Sequence, residues 1–413
     1  MKKNIYWRKI LLKTSKKGSS IVFLSIVLSG IIFMILAFIL ASQRVGTIGY
    51  SNSILTMSFK SVMSEYNVEL KDRYGMFGFA GNSADVENKV FYYSDYSFEN
   101  RENINIDSID ADTSLYSLAN TDVAKKQFLD YSKYAIANNL FEGIKEDENK
   151  ISSPETKVER VLRNNGIIST LPSNGYNENP SAWKTISNAI KGSDNFIKEG
   201  TETYLLNQYI LNMFNNYYNT TENESFFTGE IEYILGEDFS DKENYRKFIN
   251  EFRLLRNALN VIYIITDPVK FKQTHALAQS ITPGVAAIAT QAAIVEIWAL
   301  AEAENDVLLL ENGKKVPLIK SELSWATSLD NIMTTTETEY VEPSVNLGYG
   351  YEGYLFLFLT FMDEELKIAK TLDLIQINMI GLYDSDFLIV EHNTGFDIQV
   401  TVNGKEYVYK EEY

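Results

Sequence analysis

Cysteine is absent from the 413 residues. That excludes disulfides, thiolate zinc sites and a cysteine nucleophile. His275 and His392 are the only histidines, which leaves almost no room for a multi-histidine metal centre within one chain. Proline is scarce, at seven residues, while 45% of the chain is hydrophobic and 13% aromatic. Such a chain buries a real core and is not disordered overall. Basic residues also run short, 38 against 55 acidic, for a formal net charge of −17. Eight of the basic residues and none of the acidic ones fall within residues 1–44, leaving 30 against 55 in the rest. A surface that acidic repels nucleic-acid phosphates, so no nucleic-acid partner is expected. No segment repeats at a fixed period, and the length suits about two or three domains.

What the chain does have is one long uncharged run, IVFLSIVLSGIIFMILAFILA, from Ile21 to Ala41. At 1.5 Å per residue it spans about 31 Å, the thickness of a bilayer's hydrocarbon core. Ser25, Ser29 and Gly30 are tolerated in membrane helices. Lys2, Lys3, Arg8, Lys9, Lys13, Lys16 and Lys17 precede the run, and only Arg44 follows closely. The excess of positive charge predicts a cytoplasmic N-terminus and an extracellular C-terminal domain at 45–413. A cleaved signal peptide is the rival reading. Its apolar core would be shorter, about 7–15 residues, and it would carry a small residue where Ile39 stands. A retained anchor in the lipid bilayer is therefore favoured. About 20 cytoplasmic residues are too few for a catalytic domain, so function is expected in the ectodomain or in the membrane helix.

Past the membrane run, apolar residues at Val45, Ile48, Leu55, Phe59, Val62, Tyr66, Leu70 and Tyr74 mark the stripe of an amphipathic helix. It should continue the membrane helix to a C-cap at Gly75. The result would be a rod of about 54 residues, roughly 80 Å long, that Gly46 and Gly49 would interrupt if anything does. Residues 90–118 read as strands, and Thr121 opens a helix to about Glu146. Residues 147–200, rich in Asn, Ser, Gly and Pro, read as a loop-rich variable insertion or linker with a short helix after Pro180. Further helices are expected at Thr203–Tyr218, from a Ser240/Glu243 capping box to Asp267-Pro268, at 284–310 and as a pair within 352–380. GEIEYIL at 229–235 reads as a short strand. The chain ends in a hairpin around Asn403-Gly404, a type I′ turn. The division is a basic leader at 1–20, a transmembrane helix at 21–41 and an amphipathic stalk at 42–75. An α+β ectodomain follows in two parts, 76–146 and 201–413, around the 147–200 insertion.

No catalytic motif stands out. Gly348, Gly350 and Gly353 spell GxGxxG, with Asp373 twenty residues past the last glycine. The preceding VEPSVNL contains Pro343 and does not read as the buried strand that a dinucleotide site requires, so a loop is expected. Asp107, Asp110 and Asp112 lack the spacing and the glycine of a calcium loop. Neither histidine lies in a G-x-S-x-G, H-E-x-x-H or S-x-x-K frame. No carboxylate pair is singled out for glycoside hydrolysis. The abundant tyrosine would serve core packing, or else line a glycan- or wall-binding surface. No catalytic, cofactor-binding or metal-binding residue is assigned, and no cofactor is expected.

A basic leader, Gly18, an apolar helix and an amphipathic continuation form the layout of a type IV pilin-like protein. More specifically, the chain resembles an uncharacterised family of membrane-anchored proteins from Gram-positive bacteria. The stretches that carry the resemblance include KKGSSIVFLSIVLSGI at 16–31 and SFKSVMSEYNVELKDRYGMFGF at 58–79. Others are FFTGEIEYILGEDFSDKENYRKFINEFRLLRNALNVIYIITDP at 226–268 and GYEGYLFLFLTFMDEELKIAKTLDLIQINM at 350–379. That family is found with the genes of the Tad (tight adherence, Flp) pilus machinery and is related to TadE/TadG-like pseudopilins. The resemblance implies leader processing between Gly18 and Ser19. Prepilins carry Glu at the fifth mature position, where this chain has Phe23. That carboxylate offsets a terminal ammonium buried among packed pilins. Its absence favours a static anchor, or a minor subunit, over a filament subunit.

The expected fold is therefore α+β, with one membrane helix, a helical stalk and a mixed helical and antiparallel ectodomain. The expected function is that of a non-enzymatic, pseudopilin-like component of a Tad-type pilus or secretion apparatus at the cell surface. Its partners would be the bilayer and other components of that machinery. The alternatives are an anchored extracellular enzyme acting on wall polymers or peptides, and a surface binding or sensor ectodomain.

Overall fold

The computed structural model describes residues 3–98, 104–142, 159–177, 181–192, 200–221, 224–331 and 340–413; of these, the side chains of 3–19, 136–142, 190–192 and 331 are not described. In chain order the elements are α1 (Lys3–Met63), α2 (Val68–Tyr74), β1 (Phe79–Ala80), α3 (Ser83–Phe98), β2 (Ile106–Asp112), α4 (Thr121–Glu142), α5 (Asn165–Ile168) and α6 (Ala182–Gly192). There follow α7 (Thr201–Met213), α8 (Glu230–Gly236), α9 (Asp241–Thr266), α10 (Pro268–Ile281), α11 (Ala287–Glu311), α12 (Tyr351–Thr360) and α13 (Glu364–Leu382). The last are β3 (His392–Asn393), β4 (Gly395–Val402) and β5 (Lys405–Glu412). The fold is α+β. The chain divides into two units: residues 1–65, 81–113 and 395–412 form the first, and 66–80, 114–394 and 413 the second.

In the first unit, the apolar run of α1 is exposed throughout, whereas Leu55, Phe59 and Val62 in its C-terminal part are buried. Their spacing of four and three puts them on one face. That face meets Val86, Val90 and Phe98 of α3 and the sheet β2–β4–β5, which is antiparallel with β4 central. Phe396, Ile398, Val400 and Val402 alternate into the core, as a one-sided strand requires. Phe59 lies edge-on to Phe396, with ring centroids 6.2 Å apart. At the hairpin tip Asn403 and Gly404 have φ of 48° and 71°, the left-handed pair that a type I′ turn needs.

The second unit is mainly helical. From Leu366 to Met379 every residue of α13 is buried, so α13 is the axis of the core. α9, α10 and α11 pack together beside a small cluster of Ile264, Val295, Trp298, Ala299 and Trp325. β1 and β3 form a short antiparallel pair.

Four expectations change. The stalk is not one helix to Gly75. α1 passes through Gly46 and Gly49 without a break but ends at Met63, and α2 starts afresh because the Asn67 side chain accepts from Leu70 N at 2.9 Å. Of 90–118, residues 106–112 are the strand β2, but 90–98 belong to helix α3, whose buried positions Val86, Val90, Ser94 and Phe98 recur every four residues while Phe91, Tyr92 and Tyr96 are exposed. GEIEYIL is helix α8, not a strand. Its apparent polar alternation comes from Glu230 and Glu232, which are themselves buried. At α9, Ser240 is the N-cap, but its side chain makes no capping bond, and Glu243 pairs with Arg246 instead. The expected helix after Pro180 is α6. The stretches 143–158, 178–180 and 193–199 of the expected insertion lie outside the described residues.

Candidate functional site

Among the described residues, one helix is long and apolar enough to cross a membrane, and it is α1. The two serines of its apolar run are satisfied on the helix itself: Ser25 Oγ donates to Val22 O and Ser29 Oγ to Ser25 O, both at 2.8 Å. Hydroxyls bonded this way do not have to find partners in lipid. Phe23 is 68% exposed on the apolar surface. Gly18 and Ser19 fall in the stretch 3–19, of whose side chains nothing is described.

In the second unit the Gly348–Gly353 segment does not follow the buried strand of a βαβ unit. Tyr349 makes an antiparallel bridge with Val316, and Gly350 is the N-cap of α12. Gly348, at φ 131°, crosses so close that a Cβ would lie 2.3 Å from Val316 O. Its glycine serves that crossing. Asp373 is turned elsewhere. It is buried and accepts from Ser173 N at 2.9 Å, Ser173 Oγ at 2.5 Å and Tyr233 OH at 2.9 Å, tying α13 to the turn at 172–175. Burial raises its pKa, and those donors and Lys370 oppose the rise.

The glycine segment instead walls a cleft of about 460 Å³. α7 contributes Tyr204 and Gln208, the loop after it Asn216 and Asn219, and α12 Phe356. At the floor Tyr218 and Tyr351 meet edge-on at 4.6 Å. Their hydroxyls are already engaged: Tyr218 shares a 2.9 Å hydrogen bond with Tyr245, and Tyr351 donates to Glu232 Oε1 at 2.6 Å. Beneath the floor, Glu232 also accepts from Tyr217 N, while Glu230 accepts from Asn215 N at 2.8 Å and Asn378 Nδ2 at 2.6 Å. Burial pushes both carboxyls up to about 7, against these hydrogen bonds.

A second buried polar group joins α9, α11 and the loop after α11. Arg256 Nε donates to Asp306 Oδ2 at 2.9 Å, and Lys320 Nζ reaches Asp306 Oδ1 at 2.7 Å and Glu302 Oε1 at 2.6 Å. Glu302 also accepts from Ala326 N and Thr327 N. Two acids and two bases, all nearly inaccessible, cancel in charge. Sequence reasoning missed this group. The available signal was Glu302 and Asp306, four apart and so on the same face of α11 as Ala299 and Ala303.

The other sequence candidates stand apart from the cleft. His275 Nδ1 lies 3.1 Å from Gln291 Oε1. His392 is buried against Phe387, with Nδ1 2.9 Å from Leu388 O, and burial lowers its pKa. Asp107 accepts from Gly404 N at the hairpin tip. Among the described residues no group of three or more His, Asp or Glu is arranged to hold a metal ion.

Residues 119–404, more than half of the chain, match the model of a family of unknown function, DUF5702. The chain belongs to the DUF5702 family. No curated protein and no solved structure matches it. The DUF5702 match begins beyond α1 and takes in the cleft, the buried glutamates and the ionic group.

Proposed function

We propose that this protein is a membrane-anchored, non-enzymatic, pseudopilin-like component of a Tad-type pilus or secretion apparatus on a Gram-positive cell. It works by protein–protein assembly with other components of that machinery. The observation that carries the reading is the division of labour along α1. Its apolar run is exposed along its length, and its C-terminal part packs on a small antiparallel sheet within the first unit. An exposed apolar surface of that length needs lipid or protein around it. The lysine-rich leader favours a cytoplasmic N-terminus and an extracellular C-terminal domain. Phe23, in place of the carboxylate of a filament subunit, favours an anchor or a minor subunit.

Fractionation with N-terminal sequencing tests this. The expected result is protein in the membrane fraction, beginning at Met1 or Lys2, with little in sheared filaments, and cross-linked in native membranes to components of the pilus machinery. Abundant protein beginning at Ser19 in sheared pili would overturn the anchor and make it a structural pilin. Absence of any cross-link to that machinery would overturn the assembly role.

A further inference from the structure

We propose that the cleft between α7 and α12 binds a short neutral saccharide. The inference is independent of the membrane-assembly reading, because it rests on the second unit alone. The cleft's volume of about 460 Å³ falls within the range typical of small-molecule sites. Its chemistry is aromatic and amide rather than ionic.

Three side-chain amides on its walls have unspent hydrogen-bonding capacity. Asn216 is only 4% exposed, yet it uses only Oδ1, which accepts from Tyr218 N at 3.0 Å and Asn219 N at 2.8 Å. Its Nδ2 makes no hydrogen bond among the described residues, and neither do the side-chain amides of Gln208 and Asn219. Asn216 Nδ2 is not shut away from solvent, so water or a ligand can meet it. An amide offers a donor and an acceptor side by side, which is what neighbouring sugar hydroxyls require.

The rim supplies the apolar complement. Tyr204 is 51% exposed and Tyr349 54%, and each ring is held by a neighbouring ring, Phe356 at 5.7 Å and Tyr354 at 6.2 Å. Rings held in place present flat apolar faces to the C–H face of a sugar at little entropic cost. Among the described residues, the charged ones lining the cleft are Lys315 and Glu352. None of the described lining residues is an arginine, whose fork would recognise a carboxylate or phosphate. The described walls are faces of α7, α11 and α12 and the loop segments 216–219, 313–315 and 349–350, not the free strand edge that would take an extended peptide.

The test uses the full chain in nanodiscs, free of glycoside detergents that would compete. Cellotetraose, the tetramer of N-acetylglucosamine and a neutral tetrapeptide are each titrated calorimetrically. One of the two saccharides is expected to bind saturably, 1:1, with a dissociation constant of roughly millimolar or below. Tyr204→Ala and Gln208→Ala should each weaken it by about tenfold or more with the melting temperature unchanged. These sites are chosen because Asn216→Ala also removes the Oδ1 that organises its loop. The proposal is overturned if neither saccharide saturates the folded chain at about 10 mM, if binding survives both substitutions, or if only the tetrapeptide binds.

Discussion

The Tyr351 hydroxyl donates to Oε1 of Glu232 at 2.6 Å, while Oε2 of the same buried carboxyl has no hydrogen-bond partner. An ionised carboxylate half unmet in the core is costly, so the site favours the proton. Burial raises Glu232 and Glu230 from the ordinary 4.5 to about 7. In the window between those values the folded state holds protons that the unfolded state has released. The stabilisation is complete below about 4.5 and is lost as pH rises through about 7, on the order of 3 kcal/mol for each group. The melting temperature should therefore fall between about pH 5 and pH 8. Glu232→Gln keeps Oε1 as an acceptor and puts the amide nitrogen where Oε2 lacks a partner. It should remove about half of that fall. An unchanged pH slope in the variant would show that Glu232 is ionised in the folded state.

The buried ionic group predicts a larger, pH-independent loss near neutrality. Asp306 is shared between Arg256 and Lys320, so Asp306→Ala leaves a net positive charge among residues without access to water. Breaking such a set by removing one partner costs about 3–5 kcal/mol. Urea denaturation should register it as a shift in midpoint. Arg246→Ala, which opens the exposed pair with Glu243 on α9, should shift the midpoint little. Equal effects from the two would mean that Arg256 and Lys320 find new partners when Asp306 is lost.

Neither of these two sites could be read in advance. Elements with a single solvent face were legible. β4 alternates because one face is wet, the Asn403-Gly404 turn requires two left-handed residues, and Asp267-Pro268 ends α9. At that last point Asp267 also caps α10, accepting from Val269 N and Lys270 N at 2.9 Å. Where polar groups are buried, periodicity misleads. Glu230 and Glu232 looked like the wet face of a strand but are interior groups of a helix. The cleft was invisible for a related reason. Its walls come from positions more than 100 residues apart, such as Tyr204 and Tyr349, and no local pattern marks residues that converge only in the folded chain. The GxGxxG spelling did mark one wall of the cleft, but through close backbone crossing and helix start, not phosphate binding.

Gly75 gives the sharpest test of a position that was legible for only half of its reason. Its role as the C-cap of α2 follows from sequence, and it has φ 65° with its N–H bonded to Lys71 O at 2.9 Å. The packing does not follow from sequence: a Cβ at Gly75 would lie 1.9 Å from Cδ2 of Tyr131. That ring has little room to retreat. It stands edge-on to Tyr209, which stacks on Phe128 at 4.4 Å and donates to Tyr74 O at 2.8 Å. Gly404 provides the comparison, since its φ of 71° is nearly the same but open space surrounds its Cβ position. Gly404→Ala should cost only the left-handed backbone penalty, about 1–2 kcal/mol. Gly75→Ala should cost that plus about 1–3 kcal/mol of overpacking. Each is measured by denaturation of the full chain, on the transition of the unit that carries it. In the double variant Gly75→Ala/Tyr131→Ala the overpacking part should vanish, so the two changes together cost less than the sum of each alone. Strict additivity, or equal costs at Gly75 and Gly404, would show that the Tyr131 ring moves aside freely and that only the backbone conformation selects glycine at Gly75.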